Sequence, residues 1–235
     1  MGNYRVSNHL SISLRILIDG MPKGDLVVNS IASSIKDSME FIQNIWEKTP
    51  QELADEAYSI ASDDQERIEH LLGVSFVMCQ VGIEHIVSTY QSIQQGWLNH
   101  LTSKHNKNPS TDFLGLSIKN KNYKDLKKTL MEKENPILTN KFSQITTINA
   151  FGNYFKHNDE WNPNWINDSK LNPTQKVIKA SVGNKSVEYC KEGFSYLLKG
   201  QDFVQVNGLW RMVESWGNSI KDKCNEDLKK CGCRE

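Results

Sequence analysis

The residues best suited to chemistry lie near the C-terminal end of one predicted helix. Asn149, Asn153 and His157 recur at every fourth position, so they form a polar ridge on one side of that helix, with Lys156 beside it. An imidazole can transfer a proton near neutral pH because its reference pKa is about 6.5. A lysine can neutralise a phosphate, and an asparagine can orient the imidazole or bind a phosphate oxygen. We therefore predict His157, Asn153 and Lys156 as catalytic residues.

Two aromatic residues next to the ridge suit a nucleic-acid substrate. Tyr154 or Trp161 could stack on a base, and we predict that Asn149 joins them in substrate binding. RNA cleavage without a metal needs a group that activates the 2′-hydroxyl, one that protonates the leaving oxygen, and a cation near the phosphate. One helix does not supply all three, whereas two copies across a dimer could.

A purely structural interpretation of the same segment stays open. A histidine or lysine at a helix C-terminus interacts favourably with the last carbonyl groups and with the helix dipole. His157 and Lys156 fit that role, and Asp159 and Glu160, which follow directly, could be their partners. Under this interpretation the segment is a capped helix end without a ligand.

The segment Gly152–His157 resembles the signature helix of the HEPN superfamily, a group of small α-helical bacterial proteins. That signature is an arginine, a polar residue, three variable positions and a histidine. Asn153 and His157 match the polar and histidine positions, while Gly152 stands in the arginine position. The resemblance implies a helical bundle that forms a homodimer with the histidine at its interface. It also implies metal-independent ribonuclease activity, as in toxin–antitoxin and antiviral defence systems, or a non-catalytic binding role in members that lack the arginine.

Two functions therefore remain open. The first is a HEPN-like effector of a bacterial defence or toxin–antitoxin system that acts on RNA, which the clustered polar residues favour. The second is a non-enzymatic interaction protein, such as an antitoxin, an immunity protein or a subunit of a defence complex. It is favoured by Gly152 and by the formal net charge of zero, from 28 basic and 28 acidic residues. The lysine-rich stretch 104–128 could steer RNA or could be an ordinary solvated surface.

Several function classes are disfavoured by missing signals. The sequence has no glycine-rich phosphate loop, no nucleophile elbow and no two-histidine metal motif. The five cysteines are irregularly spaced, so we expect reduced thiols and no metal or other cofactor. No run of about 18 apolar residues and no signal peptide is evident, which predicts a cytoplasmic protein that does not span a membrane.

The spacing of apolar residues predicts a mainly α fold, a helical bundle over residues 31–235. Its strongest signal is a heptad seam, typical of a central helix. A second stripe is predicted to widen the buried face of that helix. The seam consists of Leu72, Phe76, Cys79, Ile83, Ile86, Tyr90, Ile93 and Trp97, and the stripe of Val74, Val77, Val81 and Ser88.

Residues 1–30 are predicted to form a separate N-terminal β element, because residues 9–18 alternate like a strand and turn signals follow. Capping patterns predict helix starts at residues 49–52, 62–65 and 172–175, and Asn135-Pro136 is taken as the start of the helix that carries the polar ridge. Residues 104–122 are predicted to be a surface loop. Gly217 falls on an apolar face, where a neighbouring helix could approach closely.

Overall fold

The computed structural model describes residues 4–5, 8–105, 112–113, 116–117, 122–133, 136–139, 141–183, 188–230 and 233–234. Side chains are described for residues 12–97, 122–133, 136–139, 141–183 and 188–229. Most of the predicted loop 104–122, and the side chains of Cys231 and Cys233, lie outside these residues.

Eight α-helices make up most of the described chain, which confirms the mainly α fold class. The described strands are two residues long: β1 (Tyr4–Arg5) pairs in parallel with β4 (Cys233–Arg234), and β2 (Asp112–Phe113) pairs antiparallel with β3 (Leu116–Ser117). The helices are α1 (Asn8–Asp19), α2 (Gly24–Lys48), α3 (Ala54–His105), α4 (Tyr123–Glu132), α5 (Gln144–His157), α6 (Pro173–Val182), α7 (Tyr189–Leu197) and α8 (Asn207–Lys230).

The chain divides into two compact units, each assembled from separate stretches of sequence. Unit 1 contains Met1–Pro22, Val81–Pro136 and Val213–Glu235, and unit 2 contains Lys23–Gln80 and Ile137–Met212. Helices α3 and α8 each contribute residues to both units. The whole of α5, with the polar ridge, belongs to unit 2.

The predicted N-terminal β element is wrong, because residues 8–19 and 24–48 are the helices α1 and α2. The apparent strand alternation counted Ile12 and Ile16, which are exposed. The side chains that are buried instead follow the helical period: Leu14 and Leu17 in α1, and Val28, Ile31 and Ile35 in α2.

The central helix was predicted correctly, and it is longer than its seam. All eight seam residues from Leu72 to Trp97 are buried. The predicted second stripe is wrong, since Val74 and Val81 are 40% and 43% exposed. The columns that widen the buried face carry mainly small and polar residues instead: Ser75, Gly82, Thr89 and Gly96 on one side, and Gly73, Gln80, Val87 and Gln94 on the other. The helix start predicted at 62–65 is also wrong, because α3 runs through those residues.

The helical stretch Gln51–Trp97, which includes most of α3, is long and apolar enough to cross a membrane, and it is the one such helix among the described residues. Within its most apolar window, 56% is buried in the structure. The buried central helix of a bundle passes the same test. The length and hydropathy of this stretch are therefore weak evidence for a membrane span.

Two further predictions concern helix starts and close packing. Asn172 and Gln175 form a reciprocal capping box with Pro173 in the first turn of α6, as predicted. Gly217 also fits its prediction, because a Cβ there would lie only 2.5 Å from Cδ1 of Ile18 within unit 1. The start predicted at Asn135 is wrong, since α5 begins at Gln144 after a bridged turn between residues 137 and 143.

Candidate functional site

The polar ridge is positioned by α5, which runs through the interior of unit 2. Ser143 caps the helix by accepting a hydrogen bond from the amide of Thr146 at 3.0 Å. Ile148 and Phe151 are fully buried, and the ring of Phe151 stacks on Phe76 of α3 with 5.2 Å between centroids. These apolar contacts fix the rotation of α5 and therefore the direction in which the ridge points.

Asn149 and Asn153 face Gln80 of α3, which the sequence did not single out. The Gln80 Nε2 donates to the backbone carbonyl of Asn149 at 2.8 Å and to Oδ1 of Asn153 at 2.8 Å. Oδ1 of Asn149 lies 3.2 Å away from the same nitrogen. Gln80 is only 4% exposed. Both asparagine side chains therefore present their oxygens to a neighbouring helix.

Gly152 lies against the same glutamine. A Cβ at this position would lie 2.6 Å from Cδ and 2.8 Å from Oε1 of Gln80. Any side chain here requires Gln80 to move away from its hydrogen-bond acceptors on α5. A side chain at the position that carries arginine in the HEPN signature would therefore displace Gln80 within unit 2.

His157 and Lys156 are exposed in the last turn of α5. Nδ1 of His157 lies 3.1 Å from Oε1 of Glu160, and the imidazole is half exposed. Glu160 belongs to a single 3-10 turn that continues directly from α5. This is the partner that the structural interpretation named, and the same contact also fixes the orientation of the imidazole.

The two predicted base-stacking residues belong to an aromatic cluster. Tyr154 is 9% exposed, and its ring contacts Trp161 and Tyr189 at centroid distances of 5.5 Å and 5.0 Å. Burial raises the pKa of Tyr154 to about 12. Trp161 also contacts Trp165 edge to face at 5.2 Å, and it is only half-buried. Tyr154 is therefore part of the core, whereas part of Trp161 can meet a ligand.

No family model, characterised protein or solved structure matches this chain. The arguments for function therefore rest on the geometry of the chain itself.

Other candidate groups have partners inside their own unit. Glu84 of α3 accepts hydrogen bonds from Tyr123 and Lys127 of α4 within unit 1. Burial and the contact with Glu84 raise the pKa of Tyr123. In the part of the chain that is described, no group of three histidine, cysteine or acidic side chains could hold a metal ion.

Gln80 is the residue of this region that sequence reasoning missed. It sits seven residues from Gly73 and from Val87 in a buried column of α3. A buried polar side chain beside an apolar seam needs a hydrogen-bond partner, which was the signal available. The sequence could not show that the partner lies on α5.

Proposed function

We propose that this chain acts as a non-enzymatic interaction protein that binds another macromolecule and does not cleave RNA. The observation that carries the proposal is the contact of Gln80 with Asn149, Asn153 and Gly152. In this contact Asn149 and Asn153, two of the predicted site residues, bind α5 to α3. Tyr154 is part of the core, so the polar groups left for a ligand are those of Lys156 and His157.

The chemistry of RNA cleavage supports the same proposal. An arginine gives phosphate a planar, bidentate donor that a lysine does not replace. At Gly152 an arginine has no room unless Gln80 leaves its acceptors. The HEPN resemblance is compatible with this role, since members that lack the arginine are non-catalytic binding domains.

A HEPN-like effector that acts on RNA as a homodimer is the second candidate. It is favoured by the exposed pair of His157 and Glu160, because a carboxylate on one ring nitrogen orients an imidazole for proton transfer at the other. Lys156 is adjacent and exposed, and among the described residues it forms no ion pair within 4.0 Å. A second copy of the chain would have to contribute the remaining cation.

An RNA-cleavage assay with matched variants separates the two functions. The full chain is purified as wild type, as His157→Ala, and as His70→Ala, a control at another exposed histidine. Each is incubated with structured and single-stranded RNA in the presence of EDTA. We expect no cleavage by any of the three, and no arrest of growth when they are expressed in a host. Cleavage by wild type and His70→Ala that is lost in His157→Ala would overturn the binding proposal in favour of the effector.

A further inference from the structure

One apolar face of α2 begins in the core of unit 2 and ends in solvent. Ile35 is fully buried, Met39 and Ile42 are half-buried, and Trp46 is 48% exposed. Their spacing of four, three and four residues places them on one side of the helix. The face is therefore continuous with the core, and among the described residues nothing covers the half of Trp46 that is exposed in its last turn.

A groove of about 880 Å³ runs beside this face, entirely within unit 2. It is bordered by α2, by α3 near Ile68, by α7 and by the 3-10 turn Phe203–Gln205. Its apolar lining consists of Met39, Ile42, Ile68, Phe203 and Val204.

The rim of the groove carries more acidic than basic groups. Lys36 already pairs with Glu40 at 3.4 Å, and Lys191 with Glu188 at 2.6 Å. Glu192 and Asp202 add two further carboxylates without adding a base. The rim therefore has a net formal charge of two negative units.

The hairpin formed by the end of α2 and the start of α3 extends this acidic surface. Residues 40–66 contain eight acidic residues and one basic residue, Lys48. The same stretch exposes large apolar side chains in addition to Trp46. They are Phe41, Leu53, Tyr58 and Ile60, each between 45% and 68% exposed. Exposed apolar groups framed by charge of one sign are typical of a surface that binds a partner.

We propose that this groove and the adjoining hairpin bind an amphipathic helix of a partner protein whose polar edges carry lysine or arginine. A helix laid into such a groove would bury an apolar stripe on Met39, Ile42 and Trp46 and place its basic edges against the acidic rim. The inference rests on the proposed binding function and names the chemistry of the partner. Like charge disfavours RNA, an anionic membrane and the same hairpin of a second copy as occupants.

Peptides of defined composition test the chemistry of the occupant. The probe is a fluorescent amphipathic peptide of leucine and lysine, about 14 residues and so roughly 21 Å long as a helix. One matched peptide replaces lysine by glutamate, and another keeps lysine but replaces leucine by serine. We expect the full chain to bind the leucine–lysine peptide at least about tenfold more tightly than either match. Equal binding of the three peptides would overturn the proposal, as would binding of fluorescent single-stranded RNA by the full chain that Trp46→Ser abolishes.

Variants of the chain test where the peptide binds. Trp46→Ser and the reversal Glu192→Lys should each weaken binding of the probe about fivefold to tenfold, since the first removes an apolar contact and the second places a like charge on the rim. Ile137→Ser and Glu226→Lys are controls at exposed positions outside the groove, and they should leave binding unchanged. The fold of each variant is checked by circular dichroism.

Affinities that are the same for the groove variants and the controls would refute this location. That result would leave the proposed function intact, because the two proposals are contradicted by different results. RNA cleavage that depends on His157 contradicts the proposed function, whereas equal affinities contradict only the location of the binding site.

Discussion

The side-chain amide of Gln80 donates a 2.8 Å hydrogen bond to Oδ1 of Asn153, across 73 residues of sequence. The same nitrogen binds the carbonyl of Asn149 one turn earlier on α5. Oε1 of Gln80 is buried and has no hydrogen-bond partner in the described part of the chain. It faces Gly152 instead, so the absence of a side chain at Gly152 and the position of Gln80 depend on each other.

This dependence predicts strong coupling between substitutions at the two positions. Gly152→Ala alone should destabilise the protein, because displacing Gln80 takes the donor away from the half-buried Oδ1 of Asn153, at a cost of about 1–3 kcal/mol. In a Gln80→Ala background the obstacle is gone, and Gly152→Ala should then stabilise α5 by up to about 1 kcal/mol through helix propensity. Urea unfolding of the four proteins in this double-mutant cycle measures the coupling.

Gln91→Ala, at an exposed position of the same helix α3, is the matched control for Gln80→Ala. Its effect on unfolding and its coupling to Gly152→Ala should both be close to zero. Additive effects of Gly152→Ala and Gln80→Ala would contradict the mutual dependence.

The helical seam could be predicted from the sequence because its signal is local. Eight apolar residues repeat in α3 at heptad spacing, and a helix is the structure that buries all of them. The prediction for the N-terminal segment was wrong because Ile12 and Ile16 complete an alternating pattern that is typical of a strand. Both side chains are in fact exposed on a helix. The ends of α5 show the same contrast, since His157 was placed near its C-terminal end, where the structure has it, and its start was placed nine residues early.

Only the part of the candidate site that lies on a single helix could be predicted from the sequence. The spacing of Asn149, Asn153 and His157 placed them on α5, and the structure has them there. What each of them contacts depends on tertiary packing, which brings Gln80 beside the first two and leaves the third near Glu160. The excess of acidic residues in 40–66 can be counted in the sequence. Only the structure shows that it lies next to an exposed apolar face of α2, which is what suggests a binding surface.

We predict that the stability of the protein depends on pH because of Glu69, which contacts the start of α7. Its two carboxylate oxygens accept hydrogen bonds from the amides of Cys190 at 2.6 Å and Lys191 at 2.8 Å, and thereby cap α7 from α3. Burial nevertheless raises the pKa of Glu69, against the smaller lowering by these two amides. The Glu69 carboxyl therefore binds its proton more tightly in the folded state than in the unfolded state. Its contribution to the stability of the folded protein falls as pH rises from the ordinary pKa of 4.5 through the raised pKa of the folded state.

Glu69→Gln removes this titration and keeps an oxygen that can cap α7. Relative to that variant, the wild type should lose stability as pH rises from about 4 towards 7, when both are unfolded in urea at a series of pH values. Glu192→Gln, at an exposed glutamate of α7, should follow the wild type throughout. A difference between wild type and Glu69→Gln that does not change with pH would show that Glu69 titrates alike in the folded and unfolded states.

The buried cysteines should resist alkylation as long as the protein is folded. Cys79, Cys190 and Cys224 are each fully buried, and burial raises the pKa of all three thiols. Because the thiolate is the reactive form, both the missing access and the raised pKa slow the reaction. In a variant with Cys231→Ser and Cys233→Ser, iodoacetamide at pH 8 should add no label to the native protein and three labels after unfolding in urea, as counted by mass spectrometry. Labelling of one thiol at native conditions would reveal local opening of its helix, and the labelled position identifies whether α3, α7 or α8 opens first.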